Sequence, residues 1–559
     1  MDEFPIEDEP PLSDILDEDS VGHKSFSDIL MTAPYRGWHS RNFSKLQGYI
    51  AGTYDTQREH LWELREDPDY FADTIREHEE HAHYSDFEQF STVPNKSQYR
   101  RLLLGSIVKE AYSMLGGWRE LYQRFAEFDN LFREDSNIHD QIHAVYEVKN
   151  VAEWMKTILS HKIAAAARSA RNTRRLVELD FDEQSGQVSF APRNACTTSQ
   201  TLMIKMLDGF NRPETLFTMP AILSCTLETI DLKIRSSAEC KAMMSGRLLS
   251  LLTDLSIIGE CLRQIELWEQ SPEVIGCEHE GCEYVLNLDG HGDFLKWMSG
   301  LDAIEGPMHH VYPFQEKLYY PSNKRRTRAH VQAMRQAEAN LDKFWASVDA
   351  LYEGKTGIPQ HPIIRECLED SGEIQRTPAW DDTAITPAKK PEHEYQPLSL
   401  MAHDKTLQIT GAFDKMSVED KCKKKTRGAP SYPVKQNDDA AVLPTEHISK
   451  ATGRPFFVDQ RTHKVFKTLF YTPTSGTGDL PKAVKWADFK RAMVRVGFTV
   501  EKLQGSAWQF TPSESSTAER NIQFHEPHPD SDIPYVMAKR FGRRLARVYG
   551  WSADMFKLA

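Results

Sequence analysis

Cysteine is scarce in this 559-residue chain. Its eight (Cys196, Cys225, Cys240, Cys261, Cys277, Cys282, Cys367 and Cys422) lie too far apart for a disulfide framework and read as reduced thiols of an intracellular protein. Long apolar runs are missing too. The strongest, "LLSLLTDLSIIG" from Leu248, falls short of the ~20 residues a bilayer span needs and carries Asp254, so no membrane association is expected. The opening "MDEFPIEDEPPLSDILDEDS" has neither the basic start nor the apolar centre of a targeting peptide, and residues 1–30 read as an acidic disordered segment.

Several chemistries lack their motifs. There is no Gly-x-Ser-x-Gly and no dinucleotide fingerprint. "EGKTG" ends like a phosphate loop at Gly354, Lys355 and Thr356, but Asp349 stands at the first glycine and the segment follows a helix instead of a strand. In "REHEEHAHY", His78, His81 and His83 miss the i, i+4 spacing of a zinc pair and read as part of a solvated helix. Cys277, His279 and Cys282 lack a second ligand pair. No metal and no cofactor is implied. No repeat appears at periods of roughly 20 to 50 residues.

What is present is a globular composition, 40% hydrophobic and 27% charged, in a length that suits about two to four folding units. The net charge of −14 is that of a soluble protein, not of a general nucleic-acid binder, but it is unevenly placed. Residues 450–559 hold 18 Lys and Arg against 10 Asp and Glu, so a tail of +8 follows a body of −22.

Residues 35–352 read as helical. In "SQYRRLLLGSIVKEAYSMLGGW" the residues Leu103, Ile107, Ala111, Met114 and Trp118 recur at three- and four-residue steps, the pattern of one buried helix face. Alternation around "SGQ" in "LVELDFDEQSGQVSFAP" predicts a strand pair, and "CEYVLNLDG" a second short one. Trp62 and Leu64 precede a helix break at Asp67-Pro68. Residues 354–446, rich in Pro, Lys, Asp and Thr, have linker composition. Two basic segments, "NKRRTR" from Asn323 and "KCKKKTR" from Lys421, look like nuclear import signals, so a cytoplasmic or nuclear location is expected.

Residues 450–559 are the most legible. Trp486, Phe489, Met493 and Val496 share a helical face that ends at Gly497, "TVEKLQG" and "SAWQFTP" alternate around Gly505, "NIQFHEP" makes a third strand, and "IPYVMAKRFGRRLARVYGW" closes as a helix. The whole predicts a mainly α-helical body plus a small α+β C-terminal domain, α-β-β-β-α.

That order, with "GF" after the first helix and "GS" at the hairpin, resembles the HicA-type mRNA-interferase toxins, whose fold is related to double-stranded-RNA-binding domains. The resemblance covers about 70 residues, from Lys485 to Trp551. Its family motif is Gly-Ser-His with a catalytic histidine; here Gly505 and Ser506 carry over and Ala507 takes the third place. Alanine neither accepts nor donates a proton, so the resemblance implies the fold and an RNA-facing surface without that catalytic group. In the body, "YRGWHSRNFSKLQGYI", "LWELREDPDYFADTI", "YYPSNKRRT" and "QRTPAW" are similar to segments of large uncharacterised proteins of filamentous fungi.

The candidate catalytic residues are His525 and His528, with Glu526 placed to orient an imidazole. The same segment, "HEPHPDSD", also reads as a turn fixed by Pro527 and Pro529, with Asp530, Ser531 or Asp532 capping the next helix, or as metal ligands. The candidate binding residues are Gly505, Ser506, Lys539, Arg540, Arg543, Arg544 and Arg547. The last four are spaced i, i+3, i+4, i+7, which sets their guanidinium groups on one helix surface. That stripe suits an RNA groove, a protein partner, plain solvation, or intramolecular docking of the acidic N-terminus. The expected function is non-catalytic binding or scaffolding that engages RNA or a protein partner; the alternative is an RNA-hydrolysing nuclease using His525 or His528.

Overall fold

The computed structural model describes residues 43–81, 96–134, 136–181, 188–270, 272–275, 291–300, 306–370, 373–380, 455–471, 481–503, 505–513, 518, 520–528 and 532–559. The acidic N-terminal segment, the linker from Asp381 onward, the Cys277–Cys282 cluster, His83, "CEYVLNLDG" and Pro529, Asp530 and Ser531 lie outside the described residues.

The body is built on long helices: α1 (Phe43–Glu66), α2 (Pro68–His81), α3 (Lys96–Arg133), α4 (Ile138–Ser169), α5 (Pro220–Ser236), α6 (Gly246–Glu269) and α7 (Arg328–Thr356). Helix α6 is the apolar run from Leu248. It is buried nearly all round, as expected of a core helix, and Ser245 caps its start by accepting from the Leu248 amide. Among the described residues no helix is long and apolar enough to cross a membrane. The break between α1 and α2 falls at Asp67-Pro68, where Pro68 opens α2 and Asp67 Oδ1 accepts from the amides of Asp69 (2.9 Å) and Tyr70 (3.2 Å). The hairpin around "SGQ" is antiparallel, β1 (Val177–Phe181) with β2 (Val188–Pro192).

Two apolar cores result. One joins α1, α4, α6 and the C-terminal half of α3; the other joins α2, the N-terminal half of α3, and Phe344, Trp345, Val348 and Tyr352 of α7. The body extends past the boundary expected from composition. A helix at Pro362–Asp370 follows α7, and in residues 373–380 Arg376 donates to the carbonyls of Arg65 and Glu66 while the Thr377 amide donates to Glu338.

The C-terminal module holds β3 (Phe456–Val458), α8 (Gln460–Leu469), β4 (Val484–Lys485), α9 (Trp486–Arg495), β5 (Phe498–Lys502), β6 (Ala507–Pro512), β7 (Ile522–His525), β8 (Asp532–Ile533), α10 (Tyr535–Tyr549) and β9 (Phe556–Leu558). Its centre is the α-β-β-β-α unit, α9-β5-β6-β7-α10, with an antiparallel β5-β6-β7 sheet in which Val500 faces Phe510 and Ala507 faces His525. Strand alternation sends Trp508, Phe510, Ile522 and Phe524 to one face, where they pack with Phe489 and Phe541. Helices α8 and α10 approach so closely that a Cβ at Gly542 would lie 2.1 Å from the Leu469 carbonyl oxygen. Pro534 precedes α10 and no side chain caps it, so Asp532 is a strand residue and not the expected cap. Body and module belong to one compact unit.

Candidate functional site

The second face of the β5-β6-β7 sheet carries Ala507, Gln509, Gln523 and His525, and it meets the body. Gln523 Nε2 donates to the Tyr49 carbonyl (3.1 Å), Thr53 Oγ1 donates to Gln523 Oε1 (3.1 Å), and Gln509 Nε2 donates to the Gly48 carbonyl (3.4 Å). Helix α1 comes near enough that a Cβ at Gly52 would stand 2.9 Å from Gln509 Oε1. Leu503 and Ala507 enter the body's own core. Gly505, in the left-handed region at φ +76°, rests against α6, where an added Cβ would meet the Leu249 carbonyl oxygen and Thr253 Oγ1 at 2.4 Å. The polar stretch of α1 from Tyr54 to His60 is half-buried, with Thr56 and Glu59 meeting Arg544 and Arg547 of the module.

The arginine stripe is likewise turned inward, onto α1, α2 and the Asp67 break between them, and not toward solvent. Arg543 bridges Glu63 and Asp67, each at 2.6 Å. Arg547 pairs with Glu59 and, at 3.0 Å, with Glu63. Arg540 reaches Asp69 and Asp73, both at 3.3 Å, and lies over the Tyr70 ring. Arg544 donates to the Gln523 carbonyl (2.5 Å) and to Thr56 Oγ1 (3.0 Å). Lys539 sits beside the same acids; burial, ahead of the Arg543 charge, lowers its ammonium pKa. Burial raises the carboxyl pKa of both Glu63 and Asp67, but at Asp67 the charges of Arg543 and Arg540 and the Tyr70 amide outweigh it and hold the carboxyl well below its usual value, while Glu63, with Asp67 and Glu59 beside it, stays raised. Among the described residues, the acids that meet the stripe come from α1, α2 and the Asp67 break between them; the acidic N-terminal segment lies outside the described residues.

Around this junction lies a cavity of about 680 Å³, walled by α1, α2, α3, α6, β7 and α10. It brings together Ser506, His525 and His528 of the module with Arg540 and Arg544. Ser506 Oγ lies 3.0 Å from His525 Nδ1, the spacing of a nucleophile and its base. The surroundings oppose that chemistry. Desolvation, followed by the nearby Arg544 charge, lowers His525 to about 4, so the imidazolium a general base must become is disfavoured. Glu526, expected to orient an imidazole, instead accepts from Trp508 Nε1 at 3.1 Å. Burial also lowers His528, ahead of the Lys241 charge. Among the described residues no cluster of three or more His, Cys, Asp or Glu has metal-binding geometry.

The opposite wall holds groups that the sequence reading did not place in a site. Glu110 of α3 receives Arg247 (2.6 Å) and Lys162 (3.2 Å), which overcome burial and keep it ionised. His78 belongs here, not in solvent: its Nδ1 contacts the Thr74 carbonyl (2.8 Å) and its Nε2 the Arg247 guanidinium (2.9 Å). His81 Nε2 lies 2.8 Å from Ser245 Oγ. His60, 2.7 Å from the Tyr70 hydroxyl, is lowered by desolvation to about 4. On α6, Asp254 is only 7% exposed; burial, then the charge of Glu110, pushes its carboxyl up to about 8. The one clue in the sequence was a lone acid inside an apolar helix.

Comparison with protein families, curated proteins and solved structures finds no match for this chain.

Proposed function

We propose that this chain is a non-catalytic scaffold that engages a protein partner, with the C-terminal module built into the body as one of its walls. The observation that carries this reading is the engagement of both module surfaces suited to RNA, the outer sheet face and the arginine helix, by α1 and α2. A phosphate backbone would have to displace six carboxylates, Glu59, Glu63, Glu66, Asp67, Asp69 and Asp73, from those arginines. RNA hydrolysis loses support for the same reason, and because His525 sits where protonation is disfavoured.

A protein partner fits what is left open. Ile222, Cys225 and Leu232 form an exposed stripe on α5, and Met219 and Leu216 continue it; at 44%, 52% and 53% exposure, Ile222, Leu232 and Met219 offer apolar surface that phosphates cannot use. The test is a titration of structured RNA with the full chain at low and high salt, with the RNA then examined for cleavage. The reading expects no retention and intact RNA. Salt-sensitive binding, or cleavage lost in His525→Ala, would overturn it.

A further inference from the structure

The cavity at the junction has an unused anchor, and its chemistry selects a ligand. Asp254 borders the cavity, is nine-tenths buried, and receives neither a hydrogen bond nor a cation from the described residues; its one charged influence is the anion Glu110. A buried carboxyl in that position either keeps its proton or takes a positive partner. Eight carboxyl groups but only four guanidinium groups line the cavity. Those guanidiniums are already engaged, Arg540 and Arg544 at the interface, Arg247 on Glu110 and Arg76 on Asp73. The volume is that of a small-molecule site, and Ile107, Ala111, Met114 and Leu251 supply apolar wall beside the acid.

The geometry points to a binding site for a small organic cation, an alkylamine, whose ammonium is received by the Asp254 carboxylate and whose carbon chain lies on Ile107, Met114 and Leu251. A divalent metal is the weaker fit, since it needs several converging oxygens and no such cluster exists among the described residues. An anion would face Glu110 and the surplus of acids. The inference goes beyond the scaffold reading and stands without it.

Binding the ammonium draws Asp254 into its ionised form, so a proton leaves the carboxyl for the buffer as the amine enters. The titratable and charged groups lining the cavity from neighbouring elements include His60, Glu63, His78, Glu110, Arg247, His525 and His528, together with Lys162 behind Glu110. Glu110 is held ionised and His60 and His525 are lowered, whereas the Asp254 carboxyl, pushed up to about 8, still carries a proton near pH 7 that it can release.

The experiment is calorimetry on the full chain with butylamine and 1,4-diaminobutane, and with 1-butanol and butyrate as neutral and anionic counterparts. It is run at pH 7 in two buffers of different ionisation enthalpy. Amine binding is expected, with heats that differ between buffers, and is expected to weaken at least ten-fold in Asp254→Asn. That variant also reports its own folding. Between about pH 4 and about 8 the folded protein keeps the Asp254 proton that the unfolded chain has released, so this group lowers stability as pH rises. Asp254→Asn therefore melts higher than the parent at pH 8. Ser250→Phe, which fills the cavity from α6, gives a second loss of binding without touching the acid. Equal binding of butylamine and 1-butanol, full affinity in a folded Asp254→Asn, or no amine binding up to about 10 mM would overturn the inference.

Discussion

Replacing Arg543 with methionine keeps an unbranched stem of similar length and removes the charge that Glu63 and Asp67 share. Both carboxylates are only 4% exposed and each lies 2.6 Å from the guanidinium. Breaking a buried pair by deleting one partner costs about 3–5 kcal/mol, because the surviving charges stay desolvated. Arg540 and Arg547 also touch these acids, so the loss belongs at the lower end, about 3 kcal/mol. Denaturant titration followed by tryptophan fluorescence measures it, with Trp62 at the interface and Trp508 in the module as reporters. Glu63→Gln in the Arg543→Met background should recover part of the loss, and the double-mutant cycle should show a coupling of at least about 1 kcal/mol. Asp67 supplies a pH signature. Its folded pKa is depressed, so its contribution is present above the unfolded value and fades as pH falls through the folded one; without Arg543 that fading moves to higher pH. A loss below about 1 kcal/mol, the range of exposed pairs, would refute the buried junction.

Three further outcomes follow from the same geometry. Gly505→Ala forces a Cβ into the Leu249 carbonyl at a positive φ and should cost at least about 2 kcal/mol in a denaturant melt, whereas Gly354→Ala, with open space around it, should cost none. Leu503→Ala removes a module side chain from the body core and should destabilise by about 2–5 kcal/mol, with protection lost in α6 as well as in β5 by hydrogen exchange. His60 and His525 are both lowered to about 4, so the unfolded chain takes up protons first and stability falls as pH drops from about 6.5 toward 4. Melts of His525→Gln across that range should give a shallower slope.

Local pattern carried the architecture far. The helical period over Leu103 to Trp118, the alternation around "SGQ", the Asp67-Pro68 break and the α-β-β-β-α order all appear as read, because each is decided within a few residues. The site failed where the deciding partner is remote. The spacing of Arg540, Arg543, Arg544 and Arg547 fixes a shared helix face but not what that face meets. Its complement, Glu59, Glu63, Glu66 and Asp67, stands some 480 residues earlier with a matching helical repeat. His78 and His81 looked solvated among glutamates for a similar reason, since Arg247 and Ser245 come from α6. Asp254 was noted only as an interruption of an apolar run.

The most direct test of the docked module uses Lys45 and Glu501, which form an ion pair at 2.8 Å across 456 residues of sequence and remain within reach of reagent. A zero-length carbodiimide joins an amine to a carboxylate only in such contact. Mass spectrometry of the monomer band should then find the Lys45 peptide coupled to the Glu501 peptide, and Glu501→Gln should abolish the coupling. A monomer in which Glu501 never couples to Lys45, while other lysines react freely with neighbouring acids, would contradict the fixed junction.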